Sequence, residues 1–427
     1  MHCDPRFSRV REVFERHFAD GEELGAAFAV YLDGELVVDL WGGVADRHTD
    51  RPWEQDTPAF AYSCTKAITA TVLLQLAERG LVDVSAPVAD VWPEFAAGGK
   101  GAVTVEHLLT HQAGLPVVEE QVPVEEFEDQ PAIAARLARQ TPLWEPGTAH
   151  GYHALTYGFL VGEVIRRVTG KSVGELVAAE IAAPLGLELW VGAPDTVIAR
   201  TARLKAGERP QVARSPEGEA GGGSAAGQVT AVTEAGGTAG GTAGEPAGRT
   251  TGGTAGEPGG DERRARDVVA EMTKAALDPQ SLMNRALGNP GMHRLKGGAN
   301  NPVILRAGWP AAGVVTTARG LAGFYRSLLA GDVLAPGTLE DAMRPRVSGP
   351  DRVLILDTSF GLGYMRPSVT FLMPSRTAFG HSGMGGSIGL GDPGRGLAIG
   401  YVMNKMANAI SGNLRGIRLV EAVYNAL

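Results

Sequence analysis

Cysteine is nearly absent from this chain. Cys3 and Cys64 are the only two in 427 residues. Two thiols make no disulfide framework, and Cys64 stands beside the serine discussed below, so a reduced, cytoplasmic setting is the expectation. Long apolar runs are missing too. No stretch approaches the roughly 20 apolar residues of a membrane span. No apolar segment follows Met1-His2-Cys3-Asp4-Pro5-Arg6, so no secretory signal is expected. A basic surplus is also lacking. The formal net charge is −9 and the lysines and arginines are scattered, which argues against nucleic acid as a partner. There is no Walker loop, no Rossmann fingerprint and no H-E-x-x-H, so neither a nucleotide cofactor nor a metal is implied.

What is present is ordinary for a soluble globular protein: 44% hydrophobic and 20% charged residues. The length allows a large core. Residues 206–260 stand apart. They are rich in Gly, Ala, Thr, Glu and Pro, with the echo Thr242-Ala243-Gly244-Glu245-Pro246 and Thr254-Ala255-Gly256-Glu257-Pro258. So few large apolar residues cannot offset the entropy of ordering, and a disordered surface insertion is the expectation, with a partner-binding tail as the alternative.

Elsewhere the patterns alternate by region. A helix is predicted over 7–18. Alternating runs at 26–32 and 35–40 flank Asp33-Gly34, a tight-hairpin signal. A mostly helical stretch covers 63–189. Strands return at 377–391 and 397–404, separated by Asp392-Pro393-Gly394. A last helix is read over 410–426, with Ile417, Val420, Val423 and Tyr424 on one stripe. Strands at both ends predict one antiparallel sheet assembled from the two termini, flanked by helices, in a single α/β domain. Residues 1–62 and 300–427 would form the sheet region. Residues 63–205 and 261–299 would form a helical subdomain, with a cleft between the two.

The chemistry gathers in three places. Ser63-Cys64-Thr65-Lys66 is an S-x-x-K opening a strong apolar helix, which puts Lys66 one turn beyond Ser63 on the same face. A serine hydroxyl needs a base to become a nucleophile, and a desolvated lysine can serve or assist. Taken alone, the pair is equally an N-cap and a solvated lysine. The second place is Glu145-Pro146-Gly147-Thr148-Ala149-His150-Gly151-Tyr152-His153-Ala154, ahead of an apolar helix over 155–168 that stops at Thr169-Gly170. The third is the Gly-rich strand Phe379-Gly380-His381-Ser382-Gly383-Met384-Gly385-Gly386-Ser387-Ile388-Gly389, where glycines let a substrate approach.

In order and spacing these pieces resemble the serine β-lactamase and penicillin-binding-protein superfamily, most nearly its class C-like group and the family VIII carboxylesterases. Leu108-Leu109-Thr110-His111-Gln112-Ala113-Gly114-Leu115-Pro116, Pro184-Leu185-Gly186-Leu187 and Gly313-Val314-Val315-Thr316-Thr317 add to it. The resemblance covers nearly the whole chain apart from the insertion, and implies a β-lactamase/transpeptidase-like fold. By this resemblance Ser63 is the acylated serine, Lys66 its paired lysine and Tyr152 the proton-shuttling tyrosine of Y-x-N. His381-Ser382-Gly383 takes the place of K-T-G. The N–H groups of Ser63 and Met384 would form the oxyanion hole, where losing one donor typically costs roughly 3 kcal/mol. Asn404 falls where the group has an asparagine near the site. Two departures bear on the substrate. Ala154 replaces the Asn of Y-x-N, and His381 replaces a permanent cation with a group mostly neutral near pH 7. Both favour a small ester over an anionic lactam.

Two G-x-S-x-G matches are set aside. In Gly170-Lys171-Ser172-Val173-Gly174 a helix precedes the serine where a nucleophile elbow needs a strand, and Ser172 with Glu175 reads as a capping box. Gly385-Gly386-Ser387-Ile388-Gly389 belongs to the cleft strand. His107 and His111, four apart on an expected helix, suggest two imidazoles on one face but lack further ligands, so a capping or core role is preferred. His150 and His153 are read as shaping the pocket around Tyr152. Hydrolysis of a small-molecule ester is therefore the expected function. A β-lactamase or D-amino-acid peptidase, an acyltransferase using another acceptor, and a non-enzymatic scaffold are the alternatives. Loops 117–130 and 277–301 are expected to decide the acyl and alcohol portions.

Overall fold

The computed structural model describes residues 1–207, 260–408 and 412–427. The insertion expected to be disordered lies, but for its edges, outside the described residues, as does Ile410 of the predicted last helix. A seven-stranded antiparallel sheet is built from both termini. Across it run His2–Cys3, Glu35–Asp46, Gly25–Leu32, Leu397–Met403, Ile388–Asp392 and Phe379–Ser382, with Arg51–Pro52 paired to Glu35–Asp46. The predicted hairpin at Asp33-Gly34 forms with both residues at positive φ, 50° and 87°, the geometry an Asp-Gly pair tolerates best.

Period-two patterning explains the layers. Phe28, Val30, Leu40, Ile399 and Tyr401 point to one face. There the helices Ser8–Ala19 and Leu414–Tyr424 cover them with Phe14, Leu419 and Val423. The opposite face presents small residues, Ala27, Ala29 and Ala398, to the helix Ala318–Ala330. The approach is so close that a Cβ at Gly400 would stand 2.3 Å from the Ala318 carbonyl.

The Gly-rich run at 377–391 is not the single strand expected. It is a hairpin: Phe379–Ser382 pairs with Ile388–Asp392, His381 facing Gly389. Gly385 (φ +83°) and Gly386 (φ +140°) adopt conformations that turn the chain back and that side-chain-bearing residues avoid.

A second, three-stranded sheet joins Ala59–Phe60, Val314–Thr316 and Leu189–Val191. It delivers the chain to helix Thr65–Glu78, whose residues from Thr65 to Leu76 are all buried. A helix buried on every side in this way belongs at the centre of a fold. Helix Thr156–Thr169 ends on left-handed Gly170, and Ser172 with Glu175 forms the predicted capping box. No helix among the described residues is long and apolar enough to cross a membrane.

Candidate active site

Ser63 sits in a 3-10 turn, Tyr62–Cys64, immediately before the central helix. Three contacts fasten that turn. Ala61 N–H donates to Val314 O (2.9 Å), Thr65 Oγ1 donates to Tyr62 O (2.5 Å), and Val314 N–H donates to Thr65 Oγ1 (2.9 Å). They hold Tyr62 at φ +45°, a conformation unusual for an aromatic residue and costly without such support. The result leaves Ser63 half-buried at the surface of a packed wall, while Lys66, three residues on, is wholly buried.

The surroundings of Lys66 are specific. Its Nζ donates to Ala154 O (2.7 Å) and Ala311 O (2.9 Å) and lies 3.0 Å from Ser63 Oγ. It also faces the Tyr152 ring, 4.7 Å from the centroid. Burial holds its pKa well below the ordinary lysine value. A neutral amine has two N–H bonds and one lone pair. In that state the two carbonyls, which can only accept, would take both hydrogens and leave the lone pair to the Ser63 hydroxyl, whereas an ammonium would donate to all three. Ala154 thus contributes through its backbone what its missing side chain cannot.

Tyr152 is buried, stacked on Phe360 (centroids 6.2 Å apart, planes at 12°) and tilted against His111 (5.0 Å). Burial pushes its phenol above the ordinary tyrosine range, and a hydrogen bond with Ser63 pulls the other way. His153 fixes the segment beside it: Nδ1–H donates to Gly151 O (2.6 Å), and Nε2 accepts from Leu115 N–H (3.0 Å). Gly151 admits a close neighbour, since a Cβ there would meet Trp144 at 2.9 Å and Val353 at 3.0 Å. The two loops expected to shape the substrate pocket are fastened together by Asn289, whose amide bonds Val118 O, Glu120 O and Val122 N–H.

The strand His381-Ser382-Gly383 runs past the serine turn. Cys64 Sγ meets His381 O at 3.4 Å, and a Cβ at Gly383 would fall 2.3 Å from Ala61 O. Ser382 Oγ points to Met365 Sδ (3.6 Å). His381 is buried, and burial with the nearby Lys66 lowers its pKa to about 3. Its Nδ1 is 2.7 Å from Ser382 O and must carry the proton, so Nε2 is a bare acceptor, with no partner among the described residues. His381 is therefore uncharged. Half-buried Met384 heads a turn closed by Gly383 N–H to Ser387 O (2.7 Å). The turn is pinned at Gly385 O by Ala407 N–H (2.9 Å) and Asn413 Nδ2 (3.2 Å).

Two expectations need correction. The Asn404 amide nitrogen is spent on backbone rather than left for the site. Both N–H bonds go to Val44 O (2.8 Å) and Ala45 O (3.0 Å), stitching the ends of two strands. His107 and His111 do not share a helix face. The helix Val105–Leu109 ends before His111, which has φ +61°. His107 caps the helix start with Thr104, while His111 Nδ1 accepts from His153 N–H (3.1 Å). No group of three or more His, Cys, Asp or Glu among the described residues is arranged to hold a metal. Sequence reasoning missed Asp351 and Asn413. Each is a single polar residue in a loop, with no local spacing to mark it.

The family model described as Beta-lactamase matches residues 10–423. The chain belongs to the beta-lactamase family. It is a serine hydrolase of that family. The Esterase/beta-lactamase LipL of Mycobacterium tuberculosis (strain ATCC 25618 / H37Rv) is 32% identical over 431 residues, covering 96% of this chain and 83% of the relative. A crystal structure of a family VIII carboxylesterase superposes with TM-score 0.77 at 33% identity, covering 100% and 99% of the two chains. A penicillin-binding protein homolog from Caulobacter crescentus superposes with TM-score 0.76 at 36% identity, with the same coverage. In the beta-lactamase-family fold of this chain, Ser63 with Lys66, Tyr152 and the His381 strand converge although they come from three separate segments.

Proposed function

We propose that this enzyme hydrolyses small, uncharged carboxylic esters through an acyl-enzyme on Ser63, with Lys66 as the base and Tyr152 as the acid. The observation that carries the proposal is the buried Lys66 amine, held by two carbonyls 3.0 Å from the Ser63 hydroxyl. Burial pushes the lysine pKa down and the tyrosine pKa up, shifting each toward its uncharged form. Such divergence separates acid from base.

In acylation Ser63 gives its proton to Lys66 and its oxygen bonds the ester carbon. The leaving alkoxide takes the Tyr152 proton and departs as alcohol. That leaves an ammonium and a phenolate facing each other. In deacylation the Tyr152 phenolate takes a proton from water as the water oxygen attacks, and Ser63 recovers its proton from Lys66. Carboxylic acid leaves, and both groups return to the neutral state. The N–H groups of Ser63 and Met384 stabilise the oxyanion, the second supported by the pinned turn at Gly385. A neutral His381 leaves this strand without the permanent cation of K-T-G for a substrate carboxylate, which favours esters over β-lactams.

Intact mass spectrometry over a panel of p-nitrophenyl esters and cephalosporins tests this reading. An acyl adduct on wild type with short esters, absent in Ser63→Ala along with turnover, is expected. Undiminished turnover in Ser63→Ala, or faster turnover of a chromogenic cephalosporin than of p-nitrophenyl butyrate, contradicts it.

A further inference from the structure

Asp351 is 2% exposed, and no lysine or arginine among the described residues pairs with its carboxylate. Leaving a carboxylate buried without a counter-ion is expensive unless hydrogen bonds replace its water. Here four do. Oδ1 accepts from the backbone N–H groups of Tyr152 (3.0 Å), Val353 (2.8 Å) and Leu354 (2.9 Å). Oδ2 accepts from Thr358 Oγ1 (3.1 Å). The Thr358 hydroxyl has spent its hydrogen, so its oxygen accepts from His150 Nε2–H, 2.9 Å away. Arg352 N–H donates to His150 O (3.1 Å). Two residues past Thr358, Phe360 stacks on the Tyr152 ring.

One loop therefore grips one tyrosine three ways: at its own N–H, at the side chain two residues before it, and at its ring. The bonds to Val353 and Leu354 are local and would serve any turn. The bond to Tyr152 spans 199 residues of sequence and serves only the tyrosine. We propose that Asp351 is a positioning residue for catalysis, its buried carboxylate holding the Tyr152 segment so that the phenol stays on the Ser63 hydroxyl. This rests on the reading of Tyr152 as the proton donor.

A double-mutant cycle on the full chain, with p-nitrophenyl butyrate, tests it. Asp351→Ala should lower kcat about 10- to 100-fold, as expected when a reacting group drifts by an ångström, with KM within about threefold. Asp351→Asn keeps an acceptor for the Tyr152 N–H and should recover kcat to within about fivefold of wild type. In a Tyr152→Phe background Asp351→Ala should cost less than about twofold, because the group it positions is gone. An equal loss in both backgrounds, or a wild-type kcat in folded Asp351→Ala, overturns the proposal. If Asp351→Ala does not fold, Thr358→Val takes its place. It cuts the link to His150 and should lower kcat at least about threefold in wild type only. Equal or absent loss again overturns the proposal. A Tyr152→Phe enzyme with wild-type kcat would instead refute the role of Tyr152 itself, and the proposal with it.

Discussion

Replacing Lys66 with methionine should change how stability responds to pH as well as abolish turnover. The side chain is wholly buried, its amine touches two carbonyls and one hydroxyl, and burial holds its pKa well below 10.5. In the unfolded chain a lysine titrates near ~10.4. Between those two values the unfolded state binds one more proton than the folded state. Lowering the pH through that window therefore favours unfolding, and raising it favours the folded enzyme. The slope for one proton is about 1.4 kcal/mol per pH unit. From pH 7.5 to 9.5 the wild type should gain stability relative to Lys66→Met, by at most about 2.7 kcal/mol. Methionine fills much the same space and carries no proton. Subtracting its curve also removes Tyr62 and Tyr152, whose raised pKa values act on both proteins. Urea denaturation at pH 7.5, 8.5 and 9.5 reads the difference directly. Loss of a positioned base should lower kcat/KM by about 10²- to 10⁴-fold. A pH-independent gap between the two proteins would mean that Lys66 is charged in the folded enzyme. The lone-pair assignment, and with it the base, would then be wrong.

Other outcomes follow from the same geometry. His381 and His153 have pKa values lowered to about 3 and about 4. Neither gains a proton between pH 5 and 8, so any acid limb of kcat/KM in that range should persist unmoved in His381→Gln; its disappearance would assign the limb to the imidazole. A Cβ at Gly386 would fall 1.8 Å from Asn413 Nδ2 at φ +140°. Gly386→Ala should therefore dislodge the turn that carries Met384, lowering kcat/KM by about 10²-fold and stability by about 1–3 kcal/mol. Unchanged kinetics with a lowered urea midpoint would show that the turn is structural alone. Asn404→Ala removes the bonds to Val44 and Ala45. It should lower the urea midpoint while kcat in the folded enzyme stays within about twofold, and a selective loss of kcat would restore Asn404 to the site.

Much of this protein was legible in residue order. The tight turn at Asp33-Gly34, the helix stop at Gly170, the capping box of Ser172 and Glu175, and the placement of Lys66 one turn beyond Ser63 all depend on neighbours within four residues. Local sterics and capping decide such features, and spacing encodes them. Alternation at the two chain ends likewise marked the strands of one sheet. Tertiary structure decided what the site residues can do. Lys66 owes its lowered pKa to burial, and its hydrogen-bond partners are carbonyls 88 and 245 residues away. Asp351 reaches Tyr152 across 199 residues. Asn404 looked available until the strand beside it took both its hydrogens, and His111 left the helix face it was assigned to. Desolvation and hydrogen-bond satisfaction are sums over whatever the fold brings near. Which groups are neutral, held or already occupied is therefore settled only once the chain has closed on itself.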